Sequence, residues 1–117
     1  MSLRYRVEWS DEAHADVATI FDYLWDRNPP AADAFLDEIE QAALSLERLP
    51  ERGRWLPEME GLSAPSSVRP AARRYRELIL APWRLIYRVN ESSVNILTVV
   101  DSHRDLSEVM RQLPERG

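Results

Sequence analysis

The chain has 117 residues, 20 acidic against 15 basic, for a formal net charge of −5. This length suits one domain spanning residues 1–117 with a real core, and 44% apolar with 30% charged residues exclude a disordered or fibrous chain. With no cysteine, disulfides, thiolate metal sites and cysteine nucleophiles are excluded.

Leu3, Tyr5, Val7 and Trp9 alternate with Arg4, Arg6 and Glu8, the period-two signature of a half-buried strand. Ser10 then stands where a helix N-cap belongs, and Asp11 and Glu12 complement the helix dipole in the first turn. Ala13, Val17, Ile20 and Leu24 form one apolar stripe, widened by Phe21. Asn28-Pro29-Pro30 ends this helix, because a residue before proline avoids the α region, and Pro30 suits the first turn of a second helix. Phe35, Ile39, Ala42, Leu46 and Leu49 repeat the same spacing. Two such seams joined by about three residues predict an antiparallel helical hairpin. The stretch from Pro50 to Pro70, with Gly53, Pro57, Gly61 and Pro65, reads as loop. Three β-type segments follow near 73–80, 84–90 and 94–101, joined by short connections at 80–83 and 90–93. The run from Val94 to Val100 is nearly apolar and β-branched, which predicts an inner strand covered on both faces. Asp105 to about Leu113 is expected to close the chain as a short helix or tail. The order β-α-α-β-β-β predicts an α+β fold: an N-terminal strand, then an antiparallel helical hairpin on one face of a twisted, mainly antiparallel sheet.

Charge follows this division. Residues 1–60 hold 14 acids against 6 arginines, whereas residues 61–117 hold 6 acids against 9 arginines. Within 11–40 there are nine acids and only Arg27 as a base, the pattern of a solvated helical face or a dock for a basic partner. Every basic residue is arginine, either through a codon bias or through a need for planar, forked recognition of phosphate or carboxylate. No uncharged run reaches the ~20 residues that cross a bilayer. No apolar segment follows Met1-Ser2-Leu3-Arg4, so a cytoplasmic location and no membrane partner are expected.

The hairpin covers one sheet face, so binding chemistry belongs on the other face or at the rim. Arg73, Arg74, Arg76, Arg84, Arg88 and Arg104 all come from the strand region. Alternation puts Arg74 with Arg76 and Arg84 with Arg88, and pairing across residues 80–83 could join the two sets into a cationic face. Such a face suits an RNA backbone or a partner's carboxylates; the competing reading is ordinary arginines paired with Glu77, Glu91 and Asp101. His103 beside Arg104, after the last strand, is the most enzyme-like pair. His14 lies among Asp11, Glu12 and Asp16 without a metal-ligand spacing, so no metal and no cofactor are expected. Only three glycines, none grouped, exclude a Gly-rich phosphate loop, and no nucleophile elbow is present. Trp9, Trp25, Trp55 and Trp83 are too dispersed for a stacking platform and read as core or rim packing.

Several segments in order resemble the RelE/ParE superfamily of bacterial type II toxins, in particular its ParE-like branch. They are Tyr5-Arg6-Val7-Glu8-Trp9-Ser10 with Ala13 and Asp16, Asn28-Pro29, Phe35, Leu49-Pro50-Glu51-Arg52-Gly53-Arg54, and Pro57-Glu58. The most specific are Tyr75-Arg76-Glu77-Leu78, Trp83-Arg84-Leu85-Ile86-Tyr87-Arg88-Val89 and His103-Arg104-Asp105-Leu106. The resemblance implies a toxin neutralised by a cognate antitoxin, ParD-like or similar, whose acidic-to-amphipathic segment folds along the hairpin groove. It also implies one of two modes of action. RelE-like relatives cleave mRNA in the ribosomal A site; by match of position, Arg76, Arg84 and Arg104 would serve there, with His103 as a substitute base. Leu78 falls where those enzymes carry a lysine, and Met110 falls where they carry a tyrosine. Met110 has no titratable proton. That gap, together with the acidic balance, favours the ParE-like mode, in which DNA gyrase is inhibited by binding and no catalytic residue is named. A third expectation is a non-toxic module that only binds the antitoxin and regulates its operon.

Overall fold

The computed structural model describes residues 4–56 and 75–102. Its elements are β1 (Arg6–Trp9), α1 (Asp11–Arg27), α2 (Pro29–Ser45), β2 (Arg54–Trp55), β3 (Tyr75–Leu80), β4 (Trp83–Val89) and β5 (Ser93–Asp101). The strands form one sheet in the order β1-β5-β4-β3-β2. β1 runs parallel to β5, and every other neighbouring pair is antiparallel. The expected α+β order is therefore present. The short helix or tail expected at 105–113 lies outside the described residues.

The helix ends follow from their capping chemistry. Ser10 Oγ accepts the Ala13 amide at 3.0 Å and donates to the Leu97 carbonyl at 2.8 Å, so one hydroxyl caps α1 and ties it to β5. Asn28 alone separates the helices, where sequence spacing suggested about three residues. Its amide donates to Leu24 O of α1, and its side-chain oxygen accepts from Ala31 of α2 at 3.3 Å. Pro29 begins α2 directly, because a first-turn position needs no N–H donor.

The core lies between hairpin and sheet. Ala13, Phe35, Ile39, Ala42, Ala43 and Leu46 meet Leu78, Leu85, Tyr87, Val94, Ile96 and Val99, with Val17, Ile20 and Leu24 packed at its border. Leu49, expected in the second seam, is instead 60% exposed, since α2 stops at Ser45 and the stripe no longer points inward. β5 is the inner strand expected, with Val99 and Val100 buried on opposite faces. It outruns β1, which ends opposite Ile96. Beyond that point Asp16 of α1 takes over the vacant edge, accepting from Val99 N at 3.0 Å and from the Thr98 hydroxyl at 2.5 Å. A register shift between Ile86 and Tyr87 leaves Leu97 unopposed on β5, a β-bulge that bends the sheet.

β2 was not visible in a stretch read as loop. Two residues are too few to show alternation; cross-strand partners define the strand instead, Arg54 opposite Glu77 and Trp55 opposite Arg76. The turn before it is held by Tyr87, whose hydroxyl accepts the Gly53 amide at 2.9 Å inside the core. A Cβ at Gly53 would sit 2.5 Å from that hydroxyl and 2.6 Å from the Glu77 carbonyl oxygen, so the close approach requires glycine.

Candidate functional site

In-register partners on neighbouring strands share a sheet face. Leu78, Leu85 and Tyr87 point into the core under the hairpin. Tyr75, Glu77 and Ile79 of β3, with their partners Arg88, Ile86 and Arg84 of β4, therefore occupy the opposite face. Arg84 and Arg88 share this face, as alternation requires. Arg76 does not join them: its partner is Tyr87, so it lies on the hairpin side at the end of β3. There its guanidinium stacks 3.8 Å above the Trp55 ring and donates to the carbonyls of Gly53 at 2.8 Å and Glu51 at 3.2 Å. The odd–even positions of Arg76 and Arg84 around the 80–83 turn decide this. Pairing sets Ile79, not Arg76, opposite Arg84.

The open face is organised around an acid. The Glu77 side chain is fully buried and receives two guanidinium Nε donors at 2.5 Å, from Arg84 on one oxygen and from Arg54 on the other. Arg84 is itself 5% exposed, whereas the Arg54 side chain stays 61% exposed. One carboxylate thus neutralises the buried arginine and orients an exposed one. Arg88 is also 5% exposed, and its Nε has no hydrogen-bond partner among the described residues. The sequence offers Glu77 as a partner for surface arginines, but not its complete burial. The signal available was an acid on the same strand face as the two β4 arginines, in register across a short turn. Arg54 and Trp55 were missed as parts of the site because β2 was missed. Arg73, Arg74, His103 and Arg104, like Met110, lie outside the described residues.

Tyr87 has a shifted titration. Burial pushes its phenol above the usual value, opposed more weakly by the hydrogen bond from Gly53 and the nearby Arg76 and Arg52 charges. Among the described residues no group of three or more His, Asp or Glu is placed to hold a metal ion. No helix among them is long and apolar enough to cross a membrane. His14 stacks on Trp9 with ring centroids 5.8 Å apart.

The hairpin side carries a second feature. Trp9, Val17, Phe21, Leu36 and Ile39 line a groove of about 430 Å³ that also includes His14, Asp22 and Glu40. Trp9 and Glu40 continue into a hollow of about 280 Å³ completed by Val7, Ala43, Leu44 and Glu47.

Comparison with known proteins matches this arrangement. Two solved structures share the fold at low identity. A chromosomal ParDE TA system from P. aeruginosa gives a TM-score of 0.62 at 21% identity, covering 84% of this chain and 96% of that one. The toxin–antitoxin complex RelBE2 from Mycobacterium tuberculosis gives 0.53 at 21% identity, covering 86% of this chain and 94% of that one. No curated protein sequence matches. The family described as "ParE toxin of type II toxin-antitoxin system, parDE" matches residues 7–106. A strand–hairpin–sheet order, the Ser10 and Asp16 ties to β5 and the two β3–β4 motifs thus converge on one assignment: this chain belongs to the ParE toxin family of type II toxin–antitoxin systems.

Proposed function

We propose that this chain acts in the cytoplasm by binding DNA gyrase, is neutralised by a cognate antitoxin, and does not cut RNA. The observation that carries the reading is the state of Arg84. A phosphate-binding arginine must offer its donors to an incoming anion. Arg84 is buried, and its Nε is committed to the Glu77 carboxylate at 2.5 Å. An RNA phosphate approaching that position meets a neutralised pair and must displace a buried carboxylate from its partner, a costly exchange. Arg76, the other matched position on these strands, is on the opposite face and engaged with Trp55 and two carbonyls. The acidic hairpin adds long-range repulsion against rRNA, whereas a protein target needs only a complementary surface. The solved relatives are toxin–antitoxin assemblies, which supports an antitoxin partner here, together with the plasmid-stabilising role that such a pair can serve.

Expressing the chain without its partner tests the reading. Induction of the DNA-damage response with intact mRNA is expected. Rapid mRNA cleavage at ribosomal A sites, with supercoiling unchanged, would overturn it in favour of the nuclease. Normal growth with folded protein would leave only the antitoxin-binding module.

A further inference from the structure

The described part of the open face carries more guanidinium than its acid can serve. Register places Tyr75 of β3, Arg88 of β4 and Asn95 of β5 in one row across that face. Glu77 stands in the next row opposite Ile86, diagonal to both Arg84 and Arg88. Its two oxygens are already taken, Oε1 by Arg84 Nε and Oε2 by Arg54 Nε. Arg88 is left over. It is 5% exposed, and its Nε is shut off from solvent without an acceptor among the described residues.

The other described acids near this row do not serve it. Glu8 shares the row through Asn95, but two strands away, about 10 Å between backbones, and it pairs with Arg6 at 3.6 Å. Asp101 stands opposite Trp83, five residues along β4 from Arg88, about 17 Å. Glu91 lines a hollow with Trp55 and Arg76 on the hairpin side. Arg88 forms no ion pair with any of them. Three guanidiniums around one carboxylate leave this patch with an excess of positive charge. The row mates of Arg88 bring further donors, the Tyr75 hydroxyl and the Asn95 amide. Both residues are half-buried, and neither side chain is hydrogen-bonded to a described residue.

A guanidinium held at this depth without a counter-charge costs stability, and such a group calls for an explanation outside the fold. The neighbouring contact shows which chemistry completes it. A carboxylate on a one- or two-carbon stem reaches a recessed arginine and takes its donors side-on. A nucleic-acid phosphate comes on a bulky charged backbone, which fits a nearly closed position poorly, and the net charge of −5 repels it.

We infer that Arg88, with Tyr75 and Asn95 beside it, anchors a single Asp or Glu side chain of the toxin's protein target. This rests on the gyrase reading above. The antitoxin segment expected along the hairpin groove approaches the other side of the sheet, which leaves the target as the source of this acid.

The test measures inhibition of supercoiling by purified gyrase, with calorimetric binding of gyrase to each variant beside it. Arg88→Met is expected to need at least ten-fold more toxin for half inhibition, with a urea midpoint no lower than the parent's. Arg88→Lys keeps the charge without the planar fork and is expected to fall between the two. Arg48→Met, an exposed residue in the turn after α2, removes the same charge and is expected to inhibit as the parent does. Parent-like inhibition by Arg88→Met overturns the inference alone. An equal loss in Arg48→Met also overturns it, by reducing the effect to net charge. Failure of Arg88→Met to fold overturns it too, since the guanidinium is then held within the chain. Weaker antitoxin binding by Arg88→Met with inhibition intact gives the position to the antitoxin instead. Arg88-dependent binding of a duplex DNA or single-stranded RNA oligonucleotide gives it to a phosphate. Failure of the parent chain to bind gyrase removes the reading on which the inference rests.

Discussion

Removing the Glu77 carboxylate is the sharpest test of how the open face is built. In Glu77→Ala, Arg84 keeps its charge at 5% exposure and loses the acceptor 2.5 Å from its Nε. Breaking a buried pair from one side costs about 3–5 kcal/mol, because the remaining buried charge loses its close counter-charge. Arg54 adds little, about 0–1 kcal/mol, since its side chain is 61% exposed and water replaces the lost partner. The expected loss of about 4 kcal/mol is a large part of the roughly 5–15 kcal/mol that holds a domain folded. Urea unfolding followed by tryptophan fluorescence measures it. A compensating change separates charge from packing. In Glu77→Leu/Arg84→Met both buried charges go together, and most of the lost stability is expected to return, since apolar replacement of a buried pair is near neutral or favourable. A loss below about 1 kcal/mol in Glu77→Ala, or a double variant as unstable as the single, would refute the buried-pair argument.

Other expectations follow from the same contacts. Ser10→Ala removes a helix cap and the bond to Leu97 and should cost about 1–2 kcal/mol by denaturant titration. Gly53→Ala forces a methyl to within 2.6 Å of the Glu77 carbonyl and should cost at least about 1–3 kcal/mol; Tyr87→Phe, which only strands the Gly53 amide, should cost about 1–2 kcal/mol. Burial raises the Tyr87 phenol pKa in the folded state, so the unfolded chain loses this proton first. Its stabilising contribution is whole below about pH 10 and declines as pH rises from there through the folded value. Tyr87→Phe should lack that alkaline decline in a pH series of urea midpoints. Arg88→Met replaces a buried guanidinium whose Nε is unpaired among the described residues and should be neutral or stabilising; a loss above about 2 kcal/mol would show that Arg88 is held by partners.

Periodicity made most of the fold legible, because each long element buries one face. The alternation of Tyr5 to Trp9, the two helical seams and the apolar run of β5 all reappear as elements. Local chemistry carried the joints as well: Ser10 and Asn28 cap as their side chains allow. What stayed illegible depends on contacts distant in sequence. β2 exists through Glu77 and Arg76, more than twenty residues away, and Asp16 satisfies an amide of β5 that only the shortness of β1 leaves open. The candidate site divides the same way. That Arg84 and Arg88 share a face follows from spacing, but the exclusion of Arg76 needs the register of the 80–83 turn. The decisive contact, a fully buried Glu77 between two arginines, needs the burial itself.

The central claim, that this toxin grips a protein rather than cutting RNA, is met most directly by one measurement. Purified chain is added to DNA gyrase with relaxed plasmid and ATP, and in parallel to a translating extract whose mRNA ends are mapped. The account predicts loss of supercoiling that the antitoxin reverses, with mRNA ends unchanged. Full supercoiling beside new cleavage at ribosomal A sites would contradict it.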